Sequence, residues 1–146
     1  MIQSPPVSRR SALLPAAPAL ALSALMALAL SACGGGDDKE DIEQTVRDFV
    51  SATNDRDADR FCGEIVTQEF LEQSTGATGD EAEDECKRQL EAIKGLEVEL
   101  VEISKTEVDG DAATVRAVIE TQGDSRPQTL RLEQKNGKWK LAGGGG

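Results

Sequence analysis

The sequence predicts an α+β domain in which helices come first and an antiparallel sheet follows. Apolar residues between Lys39 and Gly95 recur at the helical spacing of three or four, whereas after Gly95 they alternate in runs rich in Val, Ile and Thr. Asn136-Gly137 then provides the strongest short signal for a β-hairpin. A chain of 146 residues has room for one such domain, and we place it at residues 38–142.

Residues 1–32 have the pattern of an export signal. Arg9 and Arg10 precede an Ala- and Leu-rich segment, and its uninterrupted part, residues 19–30, is shorter than the roughly 20 residues of a membrane span. The segment ends in Leu30-Ser31-Ala32-Cys33, which resembles the lipobox of bacterial lipoprotein signal peptides. The resemblance implies cleavage between Ala32 and Cys33, acylation of Cys33, and a flexible tether at residues 33–37. An uncleaved helical anchor is the alternative.

This reading predicts where the domain works. Acyl chains on Cys33 would hold it at the extracytoplasmic face of the cell membrane, because two or more chains anchor a protein stably. The pair Arg9-Arg10 also half-resembles a twin-arginine export motif, with Ala12 where that motif prefers Phe. The export route therefore stays open, and so does the choice between inner and outer membrane in a cell that has two.

The composition of the chain argues against nucleic-acid binding and against sites that depend on histidine. All 27 acidic residues follow Cys33, while two of the 16 basic residues precede it. Such an acidic body argues against nucleic-acid binding, which depends on Lys and Arg. The sequence contains no His and no Tyr, so the commonest general base and metal ligand is missing. Asp55, Asp57 and Asp59 lack the Gly and Glu that a calcium loop needs after them. We predict no metal and no cofactor.

Three helices are expected before Gly95. The first spans about 38–54, with its apolar stripe on Ile42, Val46 and Phe49. Asp57 is expected to cap a short second helix that runs through residues 61–66 and continues in a further turn through residues 69–71.

The third helix is predicted from a capping-box pattern at residues 78–81. Its buried stripe would contain Cys86, Leu90 and Ile93, and Gly95 would end it.

Cys62 and Cys86 remain once Cys33 is assigned to lipid. They form an even pair in a compartment where disulfides persist. If these cysteines bound a metal, the site would need further ligands, and if one of them were a catalytic nucleophile, it would need a nearby base such as His. We therefore predict a structural disulfide between the second and third helices.

Four strands are expected after Gly95. The first changes parity near Leu100, which indicates a bulge. The second runs from Ala112 to Thr121, and a three-residue loop at 108–110 would join the two strands. That loop gives the following cross-strand pairs: Ile103 with Val115, Val101 with Ala117, and Glu102 with Arg116.

The last hairpin turns at Asn136-Gly137. Residues 143–146 are predicted to form a flexible tail. The turn gives the following cross-strand pairs: Leu132 with Leu141, Glu133 with Lys140, and Gln134 with Trp139.

The order of elements, together with "VDGDAATVRAVI" and "LRLEQKNGKWKLAG", resembles the nuclear transport factor 2-like superfamily, which includes SnoaL-like cyclases and ketosteroid isomerase. The resemblance implies a cone of three N-terminal helices packed on a curved antiparallel sheet of about four strands. It also implies an internal pocket, in which the catalytic members of the superfamily use a buried Asp or His as the base. By the same resemblance, Trp139 is expected near the base of the cone.

We predict a non-catalytic binding or scaffold domain on a lipid anchor. The small side chains of Ala113 and Ala117 favour a small apolar pocket, and the expected partner is an apolar ligand or another envelope protein. A SnoaL-like isomerase or hydrolase with a buried carboxylate is one alternative, and a homodimeric structural or regulatory envelope protein is another. The candidate pocket residues are Val115, Ala117, Ile119 and Trp139.

Overall fold

The computed structural model describes residues 35–145, which form helices packed on one face of a four-stranded antiparallel sheet. The predicted α+β class is confirmed. The helical part contains α1 (Gly35–Asp55), a π-helix (Arg60–Ile65), α2 (Gln68–Thr75) and α3 (Asp80–Ala92). The strands β1 (Val98–Asp109), β2 (Ala112–Thr121), β3 (Asp124–Lys135) and β4 (Lys138–Gly145) follow as a meander in chain order.

Helix α1 buries the predicted apolar stripe, with Ile42 and Val46 fully buried against the sheet. It begins at Gly35, three residues earlier than predicted. Residues 35–37 of the expected tether are therefore helical, and the negative charges of Asp37 and Asp38 in the first turn favour that start. Residues 1–34, and with them the predicted signal peptide and Cys33, lie outside the described residues.

The second helical segment lies where the sequence places it, but Arg60–Ile65 form a π-helix rather than an α-helix. Asp57 acts as the predicted cap, since the backbone N–H of Arg60 donates to its Oδ1 at 3.1 Å. The segment buries Cys62 and Ile65. Val66 then leaves the helix and forms a parallel bridge with Leu141 of β4, which ties this segment to the sheet.

Helix α3 does not use the predicted capping box. Its N-cap is Gly79, at φ +58°, and no side chain caps it. Two side chains of α2 hold this turn instead: Glu72 Oε1 accepts from Gly79 N at 2.9 Å, and Gln68 Nε2 donates to Gly79 O at 2.8 Å. The helix ends at Ala92, so Ile93 is 40 % exposed rather than part of a buried stripe.

Strand β2 has the predicted bounds and buries the predicted alternate residues, but its register with β1 differs from the prediction. The turn has two residues, Gly110 and Asp111, because Asp109 pairs with Ala112 and Gly110 takes φ +59°. Together with a register shift farther along β1, this turn places Ile103 opposite Ala117 rather than Val115.

Two register shifts interrupt β1. The first, between Leu100 and Glu102, is the predicted bulge, and the second, between Ile103 and Lys105, was not foreseen. The second shift keeps Ile103 half-buried on the inner face despite the shorter turn.

The β3–β4 hairpin matches the prediction in all three expected cross-strand pairs. Asn136 and Gly137 take φ +54° and +76°, which is the conformation that a two-residue turn of the favoured type requires. The prediction of a frayed tail is wrong for residues 143–145, because β4 continues through them opposite residues 129–131 of β3.

One hydrophobic core joins these elements. Leu132, Val115 and Trp139 of the sheet pack in it with the buried residues of α1 and the π-helix. Between Gly35 and Gly145, no helix has the length and apolar character needed to cross a membrane.

Candidate functional site

An apolar cleft of about 410 Å³ lies between the helices and the inner face of the sheet. Each of three helical segments contributes one aromatic ring to it: Phe49 from α1, Phe61 from the π-helix and Phe70 from α2. The centroids of the Phe49 and Phe61 rings are 5.4 Å apart, within the range of favourable aromatic pairs. The remaining lining is Thr53, Leu90, Ile93, Leu96, Val98, Ile119, Thr121, Gln128, Leu130, Leu141 and Gly144.

The predicted pocket and the observed cleft share Ile119. Val115 and Ala117 lie in the closed part of the core, where they are at most 1 % exposed. Trp139 is also buried, and it borders a separate polar depression beside α1. The open space therefore lies farther toward the end of β2 than the sequence indicated.

Gly144 helps to keep the cleft open. A Cβ at this position would lie 2.8 Å from Cδ2 of Leu130, which is another lining residue. Any larger side chain would push into the space that the leucine borders. The run of glycines at the end of β4, directly after its apolar residues, is the signal in the sequence that could have indicated this opening.

The cleft becomes polar at the end of the β2–β3 hairpin. Thr121 and Gln128 line both the cleft and an adjoining depression that also contains Asp124 and Arg126. Arg126 pairs with Asp124, because its Nε donates to Asp124 Oδ2 at 2.8 Å. The site therefore has an apolar body and a polar rim that carries no unbalanced charge.

The predicted disulfide supports the helical wall of the cleft. Cys62 and Cys86 are bonded, with their Cα atoms 6.1 Å apart, and they join the π-helix to α3. Phe61 is next to one cysteine in sequence, and Leu90 follows the other by one helical turn; both line the cleft. The bridge therefore fixes two neighbours of the cleft to each other.

Ion pairs reinforce the same junction on its outer side. Lys87 Nζ lies 2.8 Å from Asp59 Oδ1 and 2.9 Å from Glu83 Oε1. Hydrogen bonds to these two carboxylates, with that to Asp59 the larger cause, raise the pKa of Lys87. The lysine remains positive at every physiological pH and links α3 to the residue before the π-helix.

Asn54 and Arg56 fix the start of β1 at the mouth of the cleft. The side chain of Asn54 pairs with the backbone of Val98, accepting from its N at 2.8 Å and donating to its O at 2.7 Å. Arg56 Nε donates to Ile93 O at 3.1 Å. These bonds hold the segment between α3 and β1, whose residues form one side of the cleft.

The titratable groups with shifted pKa values lie on the surface. Hydrogen bonds lower the pKa of Glu69, first from its own backbone and then from Lys135, and the pKa of Glu72, first from the backbone of Gly79 and then from Gln68. No carboxylate among residues 35–145 lines the cleft. Nor does this part of the chain contain a group of three or more Cys, Asp or Glu residues arranged to hold a metal ion.

No family model and no curated protein matches the sequence significantly. A solved structure similar to this chain is an NTF-2 like protein of unknown function from Shewanella oneidensis MR-1, with 20 % identity over 72 % of this chain and 94 % of that one, at a TM-score of 0.51. A de novo designed NTF2 fold protein, NT-9, shares 18 % identity over 72 % and 84 %, at a TM-score of 0.43.

A phospholipid-binding protein from Ralstonia solanacearum shares 13 % identity over 71 % of this chain and 74 % of that one, at a TM-score of 0.39. At 20 % identity, the similarity to the Shewanella protein describes fold rather than activity. The helices followed by a curved antiparallel meander, together with the similarity to the Shewanella protein, show that this chain has the nuclear transport factor 2-like fold.

Proposed function

We propose that this chain is a membrane-anchored extracytoplasmic lipoprotein whose domain binds a small apolar ligand without transforming it. The observation that carries the binding role is the apolar cleft, with a phenylalanine from each of three helical segments. Ligand sites in proteins are concave and mostly apolar, with a few polar groups at defined positions. The cleft and its polar rim have this composition.

The absence of acid/base groups in the described cleft supports binding over catalysis. Isomerases and hydrolases of this superfamily need a base in the pocket, and the resemblance suggests a buried carboxylate for that role. Thr53, Thr121 and Gln128 are the polar side chains of this cleft, and the hydroxyl of Thr53 already donates to Phe49 O at 2.7 Å. None of the three is a general base at neutral pH.

The binding role is tested with the full lipidated chain in phosphatidylcholine vesicles. An undecyl diazirine without a polar head is added, activated by light, and the labelled peptides are identified by mass spectrometry. We expect labels on the peptides that contain Phe49, Phe61 and Phe70. A competing apolar compound, undecane, should reduce them.

Ile119→Trp fills the cleft from the sheet and should remove most of this labelling. Val118→Trp is the matched control, since the neighbouring residue faces the other side of the sheet and is half-exposed there. Both variants are first compared by circular dichroism to show that they fold. Equal labelling of folded wild type and Ile119→Trp would refute a ligand site in the cleft.

The anchor is supported by the lipobox resemblance of residues 30–33 and is tested separately. The intact mass of the native chain should correspond to a start at Cys33 that carries acyl groups. Cys33→Ser should leave an uncut precursor or release the domain from the membrane. A native chain that begins at another residue, without lipid, would refute the anchor and leave the cleft argument intact.

A homodimeric envelope protein is the alternative from another class. Measuring the mass in solution over a range of concentrations separates it from a monomeric ligand carrier.

A further inference from the structure

We infer that the cleft takes an amphiphile whose head is uncharged and both donates and accepts hydrogen bonds, such as a glycerol ester. This inference rests on the proposed function and names the ligand class for the same cleft. Its basis is the way polarity is distributed along the inner face of the β2–β3 hairpin.

The hairpin register places polar side chains on the same face as the cleft. Gln128 lies opposite Ala117, and Arg126 lies opposite Ile119. Residues opposite each other in an antiparallel pair point to the same face of the sheet, and Ala117 and Ile119 are both buried on the inner face. Gln128 and Arg126 therefore continue the floor of the cleft outward, beyond the part that the helices cover.

Two polar side chains at this rim have hydrogen-bonding capacity to spare. The side-chain hydrogen bonds at this end of the hairpin join Ser125 to Glu120 and Arg126 to Asp124, and within residues 35–145 none involves Thr121 or Gln128. A primary amide and a hydroxyl each donate and accept. A head with hydroxyl and ester groups would satisfy both of them, whereas a hydrocarbon would leave them unpaired.

The charged residues of the rim, Asp124 and Arg126, offer neither an anionic nor a cationic head an unpaired charge to bind. Asp124 already pairs with Arg126, so the rim has no spare positive charge for a carboxylate. Glu120 and Asp124 lie at the same end of the hairpin, and the whole chain has a formal net charge of −11. A cationic head would be attracted by these carboxylates, but at the rim itself the pairing of Asp124 removes the specific partner that would position it.

The test uses the full lipidated chain in phosphatidylcholine vesicles and four undecyl diazirine probes. One probe has no head, and the others carry a glycerol ester, a carboxylate or an ammonium group. We expect the glycerol ester to label the cleft at the lowest half-saturating concentration, after correction for partition of each probe into vesicles. Gln128→Leu should raise that concentration about 2- to 10-fold, the effect of losing one net hydrogen bond.

The same substitution should leave the headless probe unchanged. Thr129→Leu is the matched control, because residue 129 is adjacent in β3 but exposed on the opposite face, and it should change neither probe.

The outcomes separate this inference from the proposed function. If the headless probe labels wild type and Ile119→Trp equally, both the ligand site and its head group are refuted. If the headless probe labels the cleft but the four probes bind alike, or Gln128→Leu has no effect, only the inference about the head is overturned. Preference for the carboxylate or ammonium probe would overturn the charge argument.

Discussion

Removing the disulfide should destabilise the domain far more than any single surface contact. The bridge joins residues 24 apart in sequence, and the chain-entropy relation assigns a loop of this length about 3.5 kcal/mol. For a domain of about 110 residues, with an unfolding entropy near 2.1 cal/mol/K per residue, this corresponds to a fall in Tm of about 15 °C. We expect this loss for the double substitution Cys62→Ala, Cys86→Ala.

Alanine is preferred to serine here because Cys62 is 1 % exposed, and a hydroxyl there would add a desolvation cost of its own. Unfolding in urea can be followed by fluorescence, since Trp139 is the single tryptophan of the chain and is buried. Dithiothreitol should lower the unfolding free energy of wild type to nearly that of the variant, and leave the variant unchanged. A loss below about 1 kcal/mol without reductant would contradict the view that the bridge constrains the unfolded chain.

Three further substitutions test contacts elsewhere in the fold. Asn54→Ala removes both hydrogen bonds to Val98 and should lower the free energy of unfolding by about 1–2 kcal/mol. Amide hydrogen exchange should become faster at the start of β1, and unchanged exchange would contradict this anchoring. Leu132→Ala, at a side chain 1 % exposed, should cost about 2–5 kcal/mol in urea unfolding, and a smaller loss would mean that the core closes around the gap. The folded-state pKa of Glu72 is lowered from 4.5, so the stabilising effect of its carboxylate is present above pH 4.5 and is lost as pH falls through the folded pKa. The difference in urea midpoint between wild type and Glu72→Gln should therefore shrink on acidification. A difference that stays constant with pH would refute this role.

Elements specified by neighbouring residues were predicted well. The β3–β4 register follows from Asn136-Gly137, because a two-residue turn fixes which residues face each other, and the alternation of apolar residues selects the same pairing. Asp57 likewise caps a segment that begins directly after it. In both cases the turn or cap and the structure it determines lie within a few residues of each other.

Elements that depend on distant residues were predicted less well. The turn before α3 is held by Gln68 and Glu72 of α2, which bond to the backbone of Gly79, and the local capping pattern at residues 78–81 is not used. The β1–β2 register was wrong because one bulge was expected where there are two. A second bulge shifts the pairing by one residue and returns the apolar side chains of β1 to the inner face of the sheet. Apolar alternation alone therefore does not determine the length of the turn.

The position of the cleft also follows from long-range packing. Ala113 and Ala117 suggested space along the middle of β2, but both are buried, and the core is closed around them. The open space lies where the hairpin extends beyond the helices, and where Gly144 brings backbone rather than a side chain next to Leu130. A small residue leaves a cavity only if no neighbouring element packs into the gap, and that depends on the curvature of the sheet, which bulges set. The apolar character of the site could be predicted from sequence, whereas its location and its polar rim required the register of β2 with β3.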